Sequence, residues 1–325
     1  SAVETVDQRL ERLIAYEPSV FPVISIYLNL EPNHHGRDEY ERFLHKELTE
    51  EAKEFEPGSV ERESFDEDVE KIWEFLENEL DPAANGLALF ACSAAGLFET
   101  IQLNAPVEEH RLYVYNQPHL YHLVRLTDEY PRYAAVLSNS NQARVYVFGL
   151  GQVLAAEDIK GDKTNRVKVG GWSQARYRRR LENAHYSHAK EVAEVLERIV
   201  REEEVKSIVL SGDKQFLAKV EEELPKHLLE RVIDSVKLEH TASDQEVWEA
   251  TLARMREEDA ATDAEKVERL LAEYRSKGLA CAGFKRTLEA LAKGQVDELL
   301  ISTSFEEKYS REELVDPALA PEIPD

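Results

Sequence analysis

The stretch YAAVLSNSNQARVYVFGLGQVLAAEDI, residues 133–159, holds three β-rich runs parted by an Asn/Ser turn and a Gly-Leu-Gly turn. Residues 160–173 then read as a basic, glycine-containing loop. A long helix is predicted from about 174 to 204, because Leu181, Ala184, His188, Val192, Val195 and Ile199 recur at steps of three and four. KSIVLSGD (206–213) reads as a buried strand, 214–224 as a helix ending before Pro225, and RVIDSVKLE (231–239) as another strand.

The order β-β-β-α-β-α-β is that of an RNase H-like sheet, and it defines a central domain at 129–242. Before it, residues 1–128 read as an α/β domain with a mixed sheet. An amphipathic start leads to VISIYLNL (23–30), two acidic helices follow at about 38–55 and 60–80 around Pro57-Gly58, and GLALFACS (86–93) and LFETIQL (97–103) form a hairpin. HLYHLVRL (119–126) reads as a further strand. After the central domain, residues 243–325 read as a third α/β domain. Ser243 or Asp244 caps a helix to about 277, Gly278 stops it, and a helix ending at Lys293-Gly294 precedes a strand, VDELLIST (296–303). One strand is few for such a domain, so further sequence beyond 325 and a poorly ordered Pro-containing tail are expected.

The chain has 325 residues, 42% of them hydrophobic, and a net charge of −25. That acidity excludes a general nucleic-acid-coating protein, which needs a basic footprint. Cys92 and Cys281 lack metal-ligand spacing and form no disulfide framework, so a reduced cytoplasmic setting is expected. No apolar run is long enough to span a membrane, and the N-terminus lacks the apolar core of a secretory signal. A two-metal nuclease needs carboxylates on the first strand of the sheet, and 133–140 has none; only Asp158 and Asp213 stand near strand ends, Asp213 as a helix cap. His34-His35 and the pair His119/His122, expected on opposite faces of a strand, read as structural or surface residues, so no metal is assigned. His188 falls on an apolar stripe and reads as a core histidine. The Gly-Leu-Gly at 149–151 reads as a hairpin turn, and no phosphate-binding P-loop or other cofactor motif is present. The Glu-rich helices read as solvated faces.

Against this acidity, residues 163–180 read KTNRVKVGGWSQARYRRR, with Lys163, Arg166, Lys168, Arg176, Arg178, Arg179 and Arg180 and no acid. So concentrated a reversal marks a local phosphate-binding site. Gly170-Gly171 lets a backbone approach a ligand closely. Ser173 is placed to cap the following helix, whose N-terminus favours anions. Arg176, Arg179, Arg180 and Asn183 share one helical face.

GGWSQARYRRRLENAHYSH (170–188) resembles the loop and Arg-rich helix of the archaeo-eukaryotic class-1 peptide release factor superfamily, which includes Pelota-type rescue factors, Vms-type peptidyl-tRNA hydrolases and bacterial relatives. Gly170, Gly171, Ser173 and Arg176 match its two glycines, serine and an arginine; Trp172 stands where the family has its catalytic Gln, and Gln174 follows two residues later. SIVLSGDKQFLAKVEEEL (207–224) resembles the next strand-turn-helix of that central domain. GLACAGFKRTLEALAKGQVDELLIS (278–302) resembles the opening of the family's third domain, an α/β fold also seen in kink-turn RNA-binding ribosomal proteins.

The resemblance implies a tRNA-shaped occupant of the ribosomal A site, with no cofactor. Its partners would be rRNA, peptidyl-tRNA and a translational GTPase, but neither DNA nor membrane. Ester hydrolysis of peptidyl-tRNA needs a positioned water and donors for the developing oxyanion. Gln174, Gly170 and Gly171 would serve that chemistry. Gln174 acts by position, since an amide has no useful pKa. Lys163, Arg166, Lys168, Arg176, Arg178, Arg179 and Arg180 would hold rRNA phosphates, and Trp172 would stack on a base. Two alternatives stand beside release or rescue: a non-catalytic hibernation factor, which Trp172 suits, and an acidic protein-interaction scaffold with no ribosomal role.

Overall fold

The computed structural model describes residues 5–31, 38–160, 172–302 and 304; for 38 and 172–181 it describes backbone alone. It divides into two compact units, residues 1–255 and 256–325.

The first unit opens with α1 (Val6–Ile14), whose N-terminus is closed by a reciprocal Thr5–Gln8 capping box. β1 (Val23–Asn29) follows, then α2 (Asp38–Glu51), α3 (Val60–Asn78), β2 (Gly86–Cys92), β3 (Leu97–Leu103) and β4 (Arg111–Tyr115). The sheet order is β3-β2-β1-β4, and all three pairings are antiparallel, where the sequence reading allowed a mixed sheet. β1 is buried along nearly its whole length because both its faces are covered. Ile24, Ile26 and Leu28 pack under α2 and α3 through Leu44, Phe65 and Ile72, while Tyr27 packs with Leu13 of α1 and with Leu123 and Leu126.

Those two leucines overturn one expectation. Residues 119–126 are not a strand: Tyr121–Glu129 forms α4, and Leu123 and Leu126, three apart, are its buried face. An alternating look over eight residues had concealed a helical step of three.

The central sheet contains β5 (Tyr133–Ser138), β6 (Gln142–Gly149), β7 (Gln152–Lys160), β8 (Ile208–Gly212) and β9 (Val232–Val236), in the order β7-β6-β5-β8-β9. β5-β6 and β6-β7 are antiparallel; β5-β8 and β8-β9 are parallel. This is the expected RNase H-like arrangement. α5 (Trp172–Glu202) crosses from β7 to β8, and α6 (Lys214–Glu223) and α7 (Lys226–Leu229) lead to β9. One face of the sheet packs on α5 and α6; the other packs on Val247, Leu252 and Met255 of α8 (Asp244–Arg275). Tyr133 Oη lies 2.9 Å from Thr251 Oγ1 and Tyr146 Oη donates to Asp244 Oδ1 at 2.9 Å, so the opening turns of α8 complete the central core.

The β6–β7 turn joins the two sheets. Leu150 (φ 49°) and Gly151 (φ 76°) form a two-residue loop with both angles positive, the twist-matched hairpin type. Leu150 is buried in the N-terminal core; its N–H donates to Tyr130 O and its carbonyl accepts from Ala105 N, each at 3.1 Å. A Cβ on Gly151 would sit 3.0 Å from Ala105 N, so glycine is needed for the close approach as well as for the turn.

In the second unit α8 runs on to Arg275, and the Gly278 N–H donates to Glu273 O at 2.8 Å beyond its end. α9 (Phe284–Ala292) follows. The strand expected at VDELLIST does not form: residues 296–302 are unpaired, and among the described residues of this unit no second strand exists to pair with them.

Candidate functional site

β7 ends at Lys160, opposite Gln142 of β6, and α5 begins at Trp172. Lys163, Arg166, Lys168, Gly170 and Gly171 lie between them, outside the described residues. Trp172, Gln174, Arg176, Arg178, Arg179 and Arg180 all fall on α5. The helix starts two residues earlier than its apolar spacing predicted, so Ser173 stands inside the first turn and not ahead of it as a cap.

α5 has 31 residues. The first buried side chain described along it is His188, 16 residues or about 24 Å from Trp172. From there Ala189, Val192, Ala193, Leu196, Ile199 and Val200 anchor it to the sheet. At roughly 100° per residue, this register runs back through His185, Leu181, Arg178 and Gln174. Trp172, Arg176, Arg179, Arg180 and Asn183 occupy the opposite side. The helix therefore groups three of the four arginines near its start with Trp172 and Asn183, and separates Arg178 and Gln174 from them. Trp172 adjoins the Gly170-Gly171 pair; Gln174 lies within helical backbone about half a turn round from it.

The residues where α5 meets the sheet are set by packing. His188 is buried and stacks on Phe216 of α6, centroids 5.2 Å apart, which fits the core role expected for it. Burial holds its pKa below the usual histidine value, and His185 is lowered too, by burial first and then by Lys219 and His188. Asp213 caps α6, accepting from Gln215 N at 2.8 Å and Phe216 N at 3.1 Å, as its place after a strand predicted. Asp158 lies 3.5 Å from Arg144 at the far sheet edge, so the two acids considered for a nuclease are held in separate structural contacts. Among the described residues no group of three His, Cys, Asp or Glu is arranged to hold a metal.

The sequence reading missed Tyr186 and Lys219. Tyr186 on α5 is 43% exposed, and the Lys219 Nζ of α6 sits 4.9 Å from its ring centroid. The two residues are 33 apart in sequence, and only the α5–α6 packing brings them together. The histidines of the N-terminal domain were also misplaced. His119 and His122 do not face apart across a strand: their rings lie 5.6 Å apart, His119 stacks on Tyr113 at 3.8 Å, and His122 Nε2 is 2.7 Å from Tyr113 Oη. Burial holds both neutral, His119 at about 4 and His122 at about 3.

Residues 118–256, the stretch that carries the central sheet and α5, match bacterial archaeo-eukaryotic release factor family 10. Peptide chain release factor subunit 1 of Methanocaldococcus jannaschii is 24% identical over 267 residues, which is 76% of this chain and 63% of that protein. The chain thus spans less than two thirds of the length of that relative. Among solved structures, Archaeoglobus fulgidus Pelota is 16% identical, covering 71% of this chain and 68% of its own with a TM-score of 0.33. Dom34 of S. cerevisiae, described as a translation termination-like factor interacting with Hbs1, is 14% identical over the same shares, with a TM-score of 0.35. No helix among the described residues is long and apolar enough to cross a membrane.

Proposed function

We propose that this protein is a member of the archaeo-eukaryotic release-factor superfamily and acts in translation termination or ribosome rescue by entering the ribosomal A site and presenting residues 163–180 to the peptidyl-transferase centre. One observation carries the reading: the cationic, Gly-Gly-containing sequence of an otherwise acidic chain leads directly into a 31-residue helix, within the residues that match bacterial archaeo-eukaryotic release factor family 10. Lys163, Arg166, Lys168, Arg176, Arg178, Arg179 and Arg180 hold rRNA phosphates. The acidic remainder repels non-specific RNA and leaves this stretch as the point of attachment. We take the domain division to be 1–128, 129–242 and 243–325, with the central domain inserted into the ribosome, a translational GTPase as delivery partner and the cytoplasm as location.

Hydrolysis of peptidyl-tRNA is the first version of this proposal. The ester carbon would be attacked by a water that Gln174 orients, with backbone N–H groups at Gly170-Gly171 donating to the oxyanion and the tRNA 3′ hydroxyl leaving with the proton. The second version is occupancy without hydrolysis, and the helix start favours it. Trp172, not a glutamine, adjoins the glycine pair, while Gln174 is held within the helix on the other side. A release assay on peptidyl-tRNA-loaded ribosomes separates the two. In the hydrolytic version, Gln174→Ala abolishes release and leaves ribosome binding unchanged. Release that persists in this variant removes Gln174 from the reaction; bound protein that releases no peptide establishes the occupant.

A further inference from the structure

Along α5, Trp172, Arg176, Arg179, Asn183, Tyr186 and Lys190 follow one another at steps of four, three, four, three and four. Positions so spaced fall in a single line, here about 27 Å long. The line lies on the side away from Ala189, Val192 and Leu196, which face the sheet. Asn183 and Tyr186 are exposed along it, and Lys190 is 66% exposed with its Nζ 3.9 Å from Glu194. The next positions on the line, Glu194 and Glu197, are acidic. The cationic character thus stops one turn after Tyr186, and the change of sign marks an end to the surface. Lys219 reinforces that end from α6. Its ammonium packs on the Tyr186 ring, and it has no carboxylate partner among the described residues.

We infer that Tyr186 and Lys219 form a second RNA contact, at which an unpaired base stacks on the tyrosine ring and an adjoining phosphate meets the lysine. Aromatic rings alternating with cations are the arrangement that holds single-stranded RNA, because every base offers a π face and every linkage a charge. An acidic protein would be satisfied by the cations alone and would gain little from an exposed ring among them. The contact lies about 21 Å along the helix from Trp172, so it touches RNA outside the cavity that the loop enters. This inference rests on the ribosome-binding reading above and extends the same surface.

The test is co-sedimentation of the full chain with ribosomes, comparing Tyr186→Ala, Tyr186→Phe, Lys219→Glu and the Arg178, Arg179, Arg180→Glu variant, each checked for unchanged thermal unfolding. Tyr186→Ala is expected to weaken binding about fivefold or more, and Tyr186→Phe, which keeps the ring, to bind like the wild type. Lys219→Glu is expected to weaken binding and to reduce the slope of log affinity against log salt by about 0.7 or more. Wild-type affinity in both Tyr186→Ala and Lys219→Glu, with binding lost in the arginine variant, overturns the second contact and leaves the ribosome reading intact. Equal loss in Tyr186→Ala and Tyr186→Phe overturns stacking, since the hydroxyl would then carry the contact. Failure of the wild type to bind overturns both.

Discussion

The two ends of α5 are made of the same helix and serve opposite needs. From His188 onward it contributes Ala189, Val192, Ala193, Leu196, Ile199 and Val200 to a closed core. Before His188 the described side chains, from Glu182 to Ser187, are none of them buried, and four arginines precede them. A helix of this composition draws little stability from its own propensity and most of it from packing an apolar face. The packed half therefore holds the helix, and the other half is free to carry charges that serve no fold. Side chains that are costly to change in one half should be thermodynamically silent in the other, and binding should show the reverse.

The strongest way to break this contrast is through Leu196, which is fully buried. Leu196→Ala should cost about 2–5 kcal/mol in chemical denaturation, with the salt dependence of ribosome binding unchanged in whatever fraction stays folded. A cost near zero would mean that the packed half is not the anchor.

Acid separates the packed regions from the cationic stretch in another way. His119 and His122 titrate at about 4 and about 3 in the folded chain, below the ordinary value of 6.5. They are neutral in the native state, while the unfolded chain takes up protons below about 6.5. Their contribution is therefore complete above that pH and is lost as pH falls towards 4 and then 3, at most by about 1.4 kcal/mol per unit for each histidine. Replacing His122 with Gln should flatten unfolding free energy against pH between 6.5 and 4; an unchanged slope would contradict the burial. The arginines stay charged throughout.

A smaller effect sharpens the contrast at the helix that α5 packs on. Asp213→Ala removes the cap of α6 and should cost about 1 kcal/mol, read in the same denaturation experiment, without changing co-sedimentation with ribosomes. Loss of co-sedimentation with stability intact would instead make Asp213 part of the site.

Much of this was legible in the residues. Strands buried on two faces, such as β1 and β8, announce themselves as predominantly apolar runs, broken only by small or terminal polar residues such as Ser25 and Ser211, and α5 shows its core face in the three-and-four spacing that begins at Leu181. The reversal of charge at 163–180 needed no structure. What escaped had physical reasons. α4 is nine residues long, too short for its step of three to stand out from alternation. VDELLIST has the composition of a strand, but composition supplies no partner. Leu150 in a turn with positive φ is bought by its burial in the neighbouring core, which no local propensity records. The Tyr186–Lys219 contact is a product of tertiary packing, and neither residue lies within the charge run that drew attention to the helix.

The central claim is that the cationic stretch holds the protein on the ribosome while the packed half of α5 holds the fold. Co-sedimentation with ribosomes across a salt series, wild type against the Arg178, Arg179, Arg180→Glu variant, tests it most directly. The account predicts salt-sensitive binding by the wild type, its loss in the variant, and the same thermal unfolding for both. Equal binding by the two proteins, or none by either at low salt, would contradict it.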